Sequence, residues 1–336
     1  MTILPIKSRE VHLISRPIGI PSKQNFTIAK NTISELQDGE VLVKNLYFSV
    51  DPYMRGRMAD RKSYAAPFEL NQPMDGGCVG EIIVSRSKKF KIGEFVYGFS
   101  GWREYFVSDG QELMKIDPTL VPLQSYLGAL GLTGFTAYIG LFEIGKVLDG
   151  DTIYISAAAG AVGSMVCQIA KIKQCTVIGS AGSQKKVDWL LNKVGIDIAF
   201  NYKDVSNLRA ELKKHCPNGI DLYFDNVGGE FLDAALFNMN KFGRIVICGM
   251  ISQYNKSKPD PIYNLILTIQ KRLSIKGFLV GDHMSKLPEF LTQMSKWYVN
   301  KQIIQEETIT VGIENSVDAF LGLFSGENLG KMMVKL

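Results

Sequence analysis

The chain has 336 residues, 46% hydrophobic and 21% charged, an ordinary globular composition that excludes a disordered or fibrous protein and leaves room for two domains. Its 38 Lys and Arg against 33 Asp and Glu give a net charge of +5 without a basic run, so nucleic-acid capture has no electrostatic footing and a small or anionic ligand stays open. Five cysteines, at 78, 167, 175, 216 and 248, include no CxxC pair, which argues against a disulfide framework or a zinc knuckle and for a reduced, cytoplasmic setting.

The opening MTILPIKSREVHL lacks the apolar core of a signal peptide, and the C-terminus carries no lipidation box. Up to about residue 120 the chain reads as short alternating or β-branched runs, among them EVLVKNLYFSV (40–50), EIIVS (81–85) and EFVYGF (94–99), separated by Gly, Pro and Asp turns. That pattern predicts a mostly β domain. The uncharged or apolar stretches 118–142 and 152–170 are interrupted by Pro122, Gln124, Ser125 and several glycines, so both are expected to be buried soluble segments and no membrane span is predicted.

From about 125 apolar strands alternate with helical patterns, the signature of a parallel sheet covered on both faces. DTIYISA (151–157), CTVIGSA (175–181), DIAFNY (197–202), GIDLYFDNV (219–227), GRIVICGM (243–250) and SIKGFLVG (274–281) are the expected strands. A helix at about 285–301 precedes a short β tail, and the domain boundary is expected near 120–130.

AAGAVG (158–163) follows the first of these strands and opens a helix, which is the context a dinucleotide fingerprint requires. Gly160 allows close approach to a pyrophosphate, Gly163 allows the helix to pack on the strand, and the free N–H groups of the helix start face the anion. The alternative is a tight turn that binds nothing. At the end of the second strand, GSAGSQKK has no acid to hold a ribose 2′-hydroxyl, while Lys185 and Lys186 follow within reach of a 2′-phosphate. NADP is therefore expected over NAD, the alternative being lysines that are merely solvated.

Only His12, His215 and His283 are present, none at metal-ligand spacing, and Cys78 reads as a small buried residue. No metal is expected. The absence of a G-x-S-x-G elbow and of a P-loop removes the hydrolase and NTPase readings that depend on them, leaving hydride transfer.

SVDPYMRGRM (49–58), GLTGFTAY (131–138), AAAGAVGS (157–164), FNYK (200–203), YFDNVGGEF (223–231), GRIVICGMIS (243–252) and ENLGKMMV (327–334), in this order, resemble the zinc-independent medium-chain dehydrogenase/reductases of the leukotriene B4 12-hydroxydehydrogenase, prostaglandin reductase and alkenal double-bond reductase group. The resemblance covers nearly the whole chain. It implies an α/β protein in which a GroES-like β domain (1–125, rejoined by 302–336) flanks a Rossmann NADP-binding domain (126–301) with a doubly wound parallel sheet. It also implies a homodimer paired through the edge of that sheet.

Carried over by position, the resemblance implies that Ala159, Gly160, Ala161, Val162 and Gly163 meet the pyrophosphate and that Lys186 and Tyr202 meet the 2′-phosphate side. Asn226, the run Cys248, Gly249, Met250, Ile251, Ser252, Gln253 and Tyr254, the strand Phe278, Leu279 and Val280, and Asn328 would line the path to the nicotinamide. Tyr202 also reads as a half-buried strand-end residue, Asn226 as a turn former and Asn328 as a cap. Tyr53 resembles a tyrosine that faces the substrate carbonyl, where its phenol would stabilise an enolate as the catalytic group; the alternative is aromatic packing. Where eukaryotic relatives carry a tyrosine before the last strand, this chain has Gln270, which leans toward the curcumin-reductase-like members and leaves Tyr263 or solvent as proton source. The expected activity is NADPH-dependent reduction of the C=C bond of an enone or alkenal; a quinone reductase and a non-catalytic NADPH-binding protein are the alternatives.

Overall fold

The computed structural model describes residues 4–336, which divide into two compact units: the described residues up to 127, with 307–328 and 332–336, form the first, and 128–306 with 329–331 the second.

The first unit is predominantly β. Strands β1 (Ile6–Leu13) and β2 (Phe26–Ile33) form an antiparallel pair. A larger sheet contains β3 (Val41–Ser49), β4 (Cys78–Ser85), β5 (Phe95–Gly98), β6 (Tyr105–Ser108) and β7 (Met114–Ile116), joined by two strands from the end of the chain, β14 (Glu307–Val311) and β15 (Lys331–Lys335). Its order is β14-β15-β3-β4-β5-β7, with β6 on β3. Strand β3 is central, and Val41, Leu42, Val43 and Phe48 on it are fully buried, as expected of a strand with packed neighbours on both faces. Trp102, with no exposed surface, ties the sheet to helix α9 (Ser316–Ser325): its ring lies 5.5 Å from Phe48 and 6.2 Å from Phe320 between centroids. Helix α1 (Met54–Arg57) is a single turn following β3.

The second unit is the doubly wound parallel sheet that the alternating pattern predicts. Its strands are β8 (Thr152–Ile155), β9 (Thr176–Ala181), β10 (Ile198–Asn201), β11 (Ile220–Asp225), β12 (Met239–Ile247) and β13 (Ser274–Gly277), in the order β10-β9-β8-β11-β12-β13. Counted within the unit this is 3-2-1-4-5-6, and the order reverses between β8 and β11, where open α/β sheets receive ligands at the carboxyl ends of the strands. Ile153, Tyr154 and Ile155 on β8 and Leu222, Tyr223 and Phe224 on β11 have no exposed surface, because helices cover both faces. These helices are α2 (Leu132–Ile139), α3 (Ala161–Ile172), α4 (Gln184–Trp189), α5 (Leu208–His215), α6 (Glu230–Asn238), α7 (Leu267–Lys271) and α8 (Leu287–Val299).

Two expected strands end early. The run 243–250 forms a strand only to Ile247, and SIKGFLVG only to Gly277. The two ends coincide because Ile247 and Gly277 are the last paired residues of the β12–β13 ladder. Phe278, Leu279 and Val280 therefore lie beyond the strand rather than on it, with Val280 opening a short 3₁₀ segment. Among the described residues no helix is long and apolar enough to cross a membrane. The stretch 118–142 folds instead into a 3₁₀ segment and α2.

The joint between β8 and α3 is tight enough to exclude a side chain. Ala157 takes a left-handed conformation (φ +49°), and a Cβ on Gly163 would stand 2.3 Å from the Ala157 carbonyl oxygen and 2.9 Å from Ala158 Cα. Both are backbone atoms that cannot rotate away. Gly163→Ala is expected to destabilise the protein by about 1 to 3 kcal/mol through overpacking. Gly160→Ala, whose Cβ would meet the same oxygen at 3.2 Å, is expected to cost less; urea unfolding midpoints of the two variants test this order.

Candidate active site

In the second unit the carboxyl ends of β8 and β11 are joined by one buried carboxylate. Asp225 Oδ1 accepts hydrogen bonds from Tyr223 Oη (2.7 Å), Ser156 Oγ (3.2 Å) and the backbone N–H groups of Val227 (2.9 Å) and Gly228 (2.8 Å). Burial raises the pKa of this carboxyl above the usual carboxylate range against the opposing pull of those donors. Its second oxygen has no partner among the described residues. The arrangement sets Asn226 in place, since its backbone N–H donates to Ser156 Oγ (3.0 Å) and its side-chain amide to the Ser156 carbonyl (2.8 Å).

The segment after β12 is stitched to the same turn. Cys248 and Gly249 donate their N–H groups to the Asp225 carbonyl (2.9 and 3.1 Å), Ile251 to that of Asn226 (3.2 Å) and Ser252 to that of Val227 (3.2 Å). Tyr254 closes the loop by accepting the Met250 N–H at 3.2 Å, and Gln253 is held by two hydrogen bonds with Asp260. Thus Asn226 and Cys248 to Tyr254 form one hydrogen-bonded rim beside the Ala159–Gly163 turn. Gly330 adds its N–H to the Ala159 carbonyl at 2.8 Å.

At the carboxyl ends of β9 and β10 the groups are cationic. Lys186 lies in the first turn of α4, whose Ser183 side chain caps the Lys186 N–H, and burial followed by the charge of Lys203 lowers its pKa below the ordinary lysine value. Tyr202 packs its ring over Gly182, where an added Cβ would stand 3.1 Å from the phenol oxygen, and meets Phe231 edge-on at 5.1 Å. Lys185 is exposed. Lys203 stands inside the FNYK motif, but its pairing with Lys186 becomes visible only when β9 and β10 lie side by side. An anion would relieve the repulsion between these two ammonium groups. The glycine-lined turn, the α3 helix start and this lysine pair together fit an NADP phosphate set, and no carboxylate projects from the end of β9 to oppose it.

In the first unit Tyr53 leads into α1, and its Oη is buried without a hydrogen-bond partner among the described residues. Burial and the charges of Asp51 and Asp75 drive its pKa far up, against Arg57, so the phenol stays protonated. Ser49 Oγ donates to Asp51 Oδ2, and Arg57 forms an ion pair with Asp75 while its guanidinium covers the Phe68 ring at 4.1 Å. Tyr97, half-buried on β5, also has its pKa driven up by burial, Cys78 and Asp51. Sequence reasoning passed over Asp51, Tyr97 and Asp225, although Asp51 and Asp225 each stand within two residues of a singled-out position.

Gln270 and Tyr263 are exposed, Tyr263 by 79%. Asn328 belongs to the first unit, immediately before the Leu329–Lys331 segment of the second. Burial pushes the Cys78 thiol up to about 12, and among the described residues no group of His, Cys, Asp or Glu is arranged to hold a metal ion. An open groove of about 600 Å³ beside β10 is lined by Gln184, Phe200, Asn201 and Glu211 among others; none of the expected cofactor residues lines it.

Residues 9–116 match the family described as the N-terminal domain of oxidoreductase, and 161–296 that described as zinc-binding dehydrogenase. The chain is 43% identical to the 2-alkenal reductase (NADP(+)-dependent) of Nicotiana tabacum and 38% identical to the NADPH-dependent curcumin reductase of Escherichia coli (strain K12), in each case over 98% of this chain and 97% of the relative. The crystal structure of CurA in complex with NADPH from Vibrio vulnificus superposes with a TM-score of 0.92 at 40% identity, covering 97% of this chain and 98% of that one. The chain belongs to the zinc-independent medium-chain dehydrogenase/reductase family that includes the 2-alkenal, curcumin and prostaglandin reductases.

Proposed function

We propose that the protein is an NADPH-dependent reductase of the C=C bond of α,β-unsaturated aldehydes and ketones. The observation that carries the cofactor choice is the Lys186–Lys203 pair beside a β9 end that bears no acid. The substrate class rests on full-length similarity to alkenal and curcumin reductases. A quinone reductase shares the fold at 19% identity, which speaks to architecture and not to substrate.

When bound, NADPH supplies the hydride that adds to the β carbon. The Ala159–Gly163 turn and the first N–H groups of α3 hold the pyrophosphate, and Lys186, Lys203 and Tyr202 hold the 2′-phosphate. Asn226, the 248–254 rim, Phe278 to Val280 and Asn328 line the remaining path. Tyr53 donates a hydrogen bond to the oxygen on which enolate charge develops. Its strongly raised pKa makes it a durable donor and a poor proton source, and Gln270 has no acidic proton, so solvent protonates the α carbon.

We also place the protein in the cytoplasm, where five free thiols remain reduced, and read it as a homodimer. Among the described residues the outer edge of β13 has no strand partner, and every residue from Ser274 to Gly277 is exposed. Exposed Ile266, Ile269 and Leu279 lie on and beside α7 and β13, and an apolar open edge of this kind calls for a cover that a twofold partner supplies. Static light scattering at micromolar concentration should return twice the 37.3 kDa chain mass; a monomer mass contradicts the dimer.

Lys186→Ala should weaken NADPH binding by about 1.5 to 3 kcal/mol, the range for a charge-assisted hydrogen bond, and leave NADH binding almost unchanged. Fluorescence titration with both cofactors checks this, and equal losses would reject the assignment. Tyr53→Phe should lower kcat for enone reduction by roughly 10- to 1000-fold, as for loss of an oxyanion donor, with NADPH affinity and Tm nearly constant. Because the phenol pKa is raised, this donor stays in place below pH 10, and the parent should show no loss of kcat from phenol ionisation between about pH 7 and 9.5.

A further inference from the structure

Tyr97 sits on a strand whose alternate residues, Val96 and Gly98, are buried, so its side chain leaves the opposite face. Phe99 braces the ring edge-on, with centroids 6.4 Å apart and planes at 83°. The hydroxyl reaches the backbone at Gly77: a Cβ on that glycine would lie 3.5 Å from Tyr97 Oη and 3.7 Å from Ser49 Cβ. Ser49 donates both ways in this corner, its N–H to the Gly77 carbonyl at 2.8 Å and its Oγ to Asp51 Oδ2. Asp51 is two residues from Tyr53 along the chain.

The Asp51 charge acts on two phenols from different elements, Tyr97 on β5 and Tyr53 in the turn entering α1, and Tyr97 in turn acts on Tyr53. The Tyr53 hydroxyl is buried and, like that of Tyr97, makes no hydrogen bond with a described residue. Buried or half-buried hydroxyls usually find partners within the protein, and two bare ones close enough to act on one another suit an incoming acceptor.

We propose that Tyr97 is a second phenolic donor to the substrate, and that its hydroxyl and that of Tyr53 take the enone oxygen between them. This rests on the enone-reductase reading given above. Charge developing on that oxygen meets the repulsion of Asp51 and Asp75, which one hydrogen bond offsets less well than two. Burial together with the Asp51 charge keeps both phenols protonated, so the pair donates throughout the neutral range. Gly77 serves the same purpose by leaving the space in front of Tyr97 Oη open.

The test is a double-mutant cycle of Tyr53→Phe and Tyr97→Phe in the full chain, with kcat, KM and Tm measured for 2-hexenal. A second readout uses 4-nitrophenol, at a pH where it is ionised, as an unreactive oxyanion whose binding to the NADP⁺-loaded protein is followed by absorbance. Tyr97→Phe should lower kcat/KM by about 10- to 100-fold, mainly through kcat, and weaken nitrophenolate binding by about 10-fold, with Tm within about 2 °C. The double variant should lose less than the product of the single losses, because both donors serve one oxygen. A costly Tyr53→Phe with a silent Tyr97→Phe would overturn this proposal alone, as would a Tyr97→Phe variant that loses Tm but keeps kcat/KM and nitrophenolate binding. A silent Tyr53→Phe with a costly Tyr97→Phe rejects the role given to Tyr53 and upholds Tyr97, and silence at both positions rejects both.

Discussion

The Asp225 carboxylate is the constraint on which the cofactor-facing end of the parallel sheet depends. Its Oδ1 collects Tyr223, Ser156, Val227 and Gly228 at the point where the strand order reverses, joining β8, β11 and the turn that carries Asn226. Removing such an acceptor strands several buried donors at once, which costs far more than any one of these bonds contributes. The raised pKa records the burial that this location demands, and the tyrosine that helps to satisfy it stacks on Tyr154 with centroids 4.9 Å apart. Core packing and ligand-facing geometry therefore share the same residues.

Two other groups of side chains, one in each unit, differ in sign. Lys186 and Lys203 hold like charges close together at the ends of β9 and β10, a state that an anion relieves. Tyr53 and Tyr97 are neutral donors held protonated chiefly by burial and further by the Asp51 charge. On the proposed reading each unit would carry a different half of the chemistry: the second would hold a polyanion through backbone N–H groups and lysines, and the first would offer O–H groups to an oxygen. The phenols are suited to stabilising charge and unsuited to releasing protons, which is why the loss of a tyrosine at Gln270 leaves the reduction without an obvious protein acid.

The glycines divide along the same line. Gly163 is dictated by packing, because backbone atoms occupy the place of its side chain. A Cβ on Gly77 would meet Leu127, Tyr97 Oη and Ser49 only at ordinary contact distances, so packing does not dictate that glycine.

By itself the sequence determined the two fold types, the position of the glycine turn and the preference for NADP, because these are local: alternation, a strand–turn–helix string, and the lack of an acid in GSAGSQKK are all read within a short window. It also singled out Tyr53 through a motif. Tertiary structure decided what depends on distant segments meeting. Lys203 pairs with Lys186 only across the β9–β10 ladder, and Tyr97 reaches the Ser49–Asp51 corner only because β5 lies beside β4, which Gly77 immediately precedes. The expected strand at 278–280 failed for the same reason. Its residues are apolar enough for a strand, but the ladder ends at Ile247 and Gly277, and a strand lasts only as long as its neighbour supplies hydrogen-bond partners.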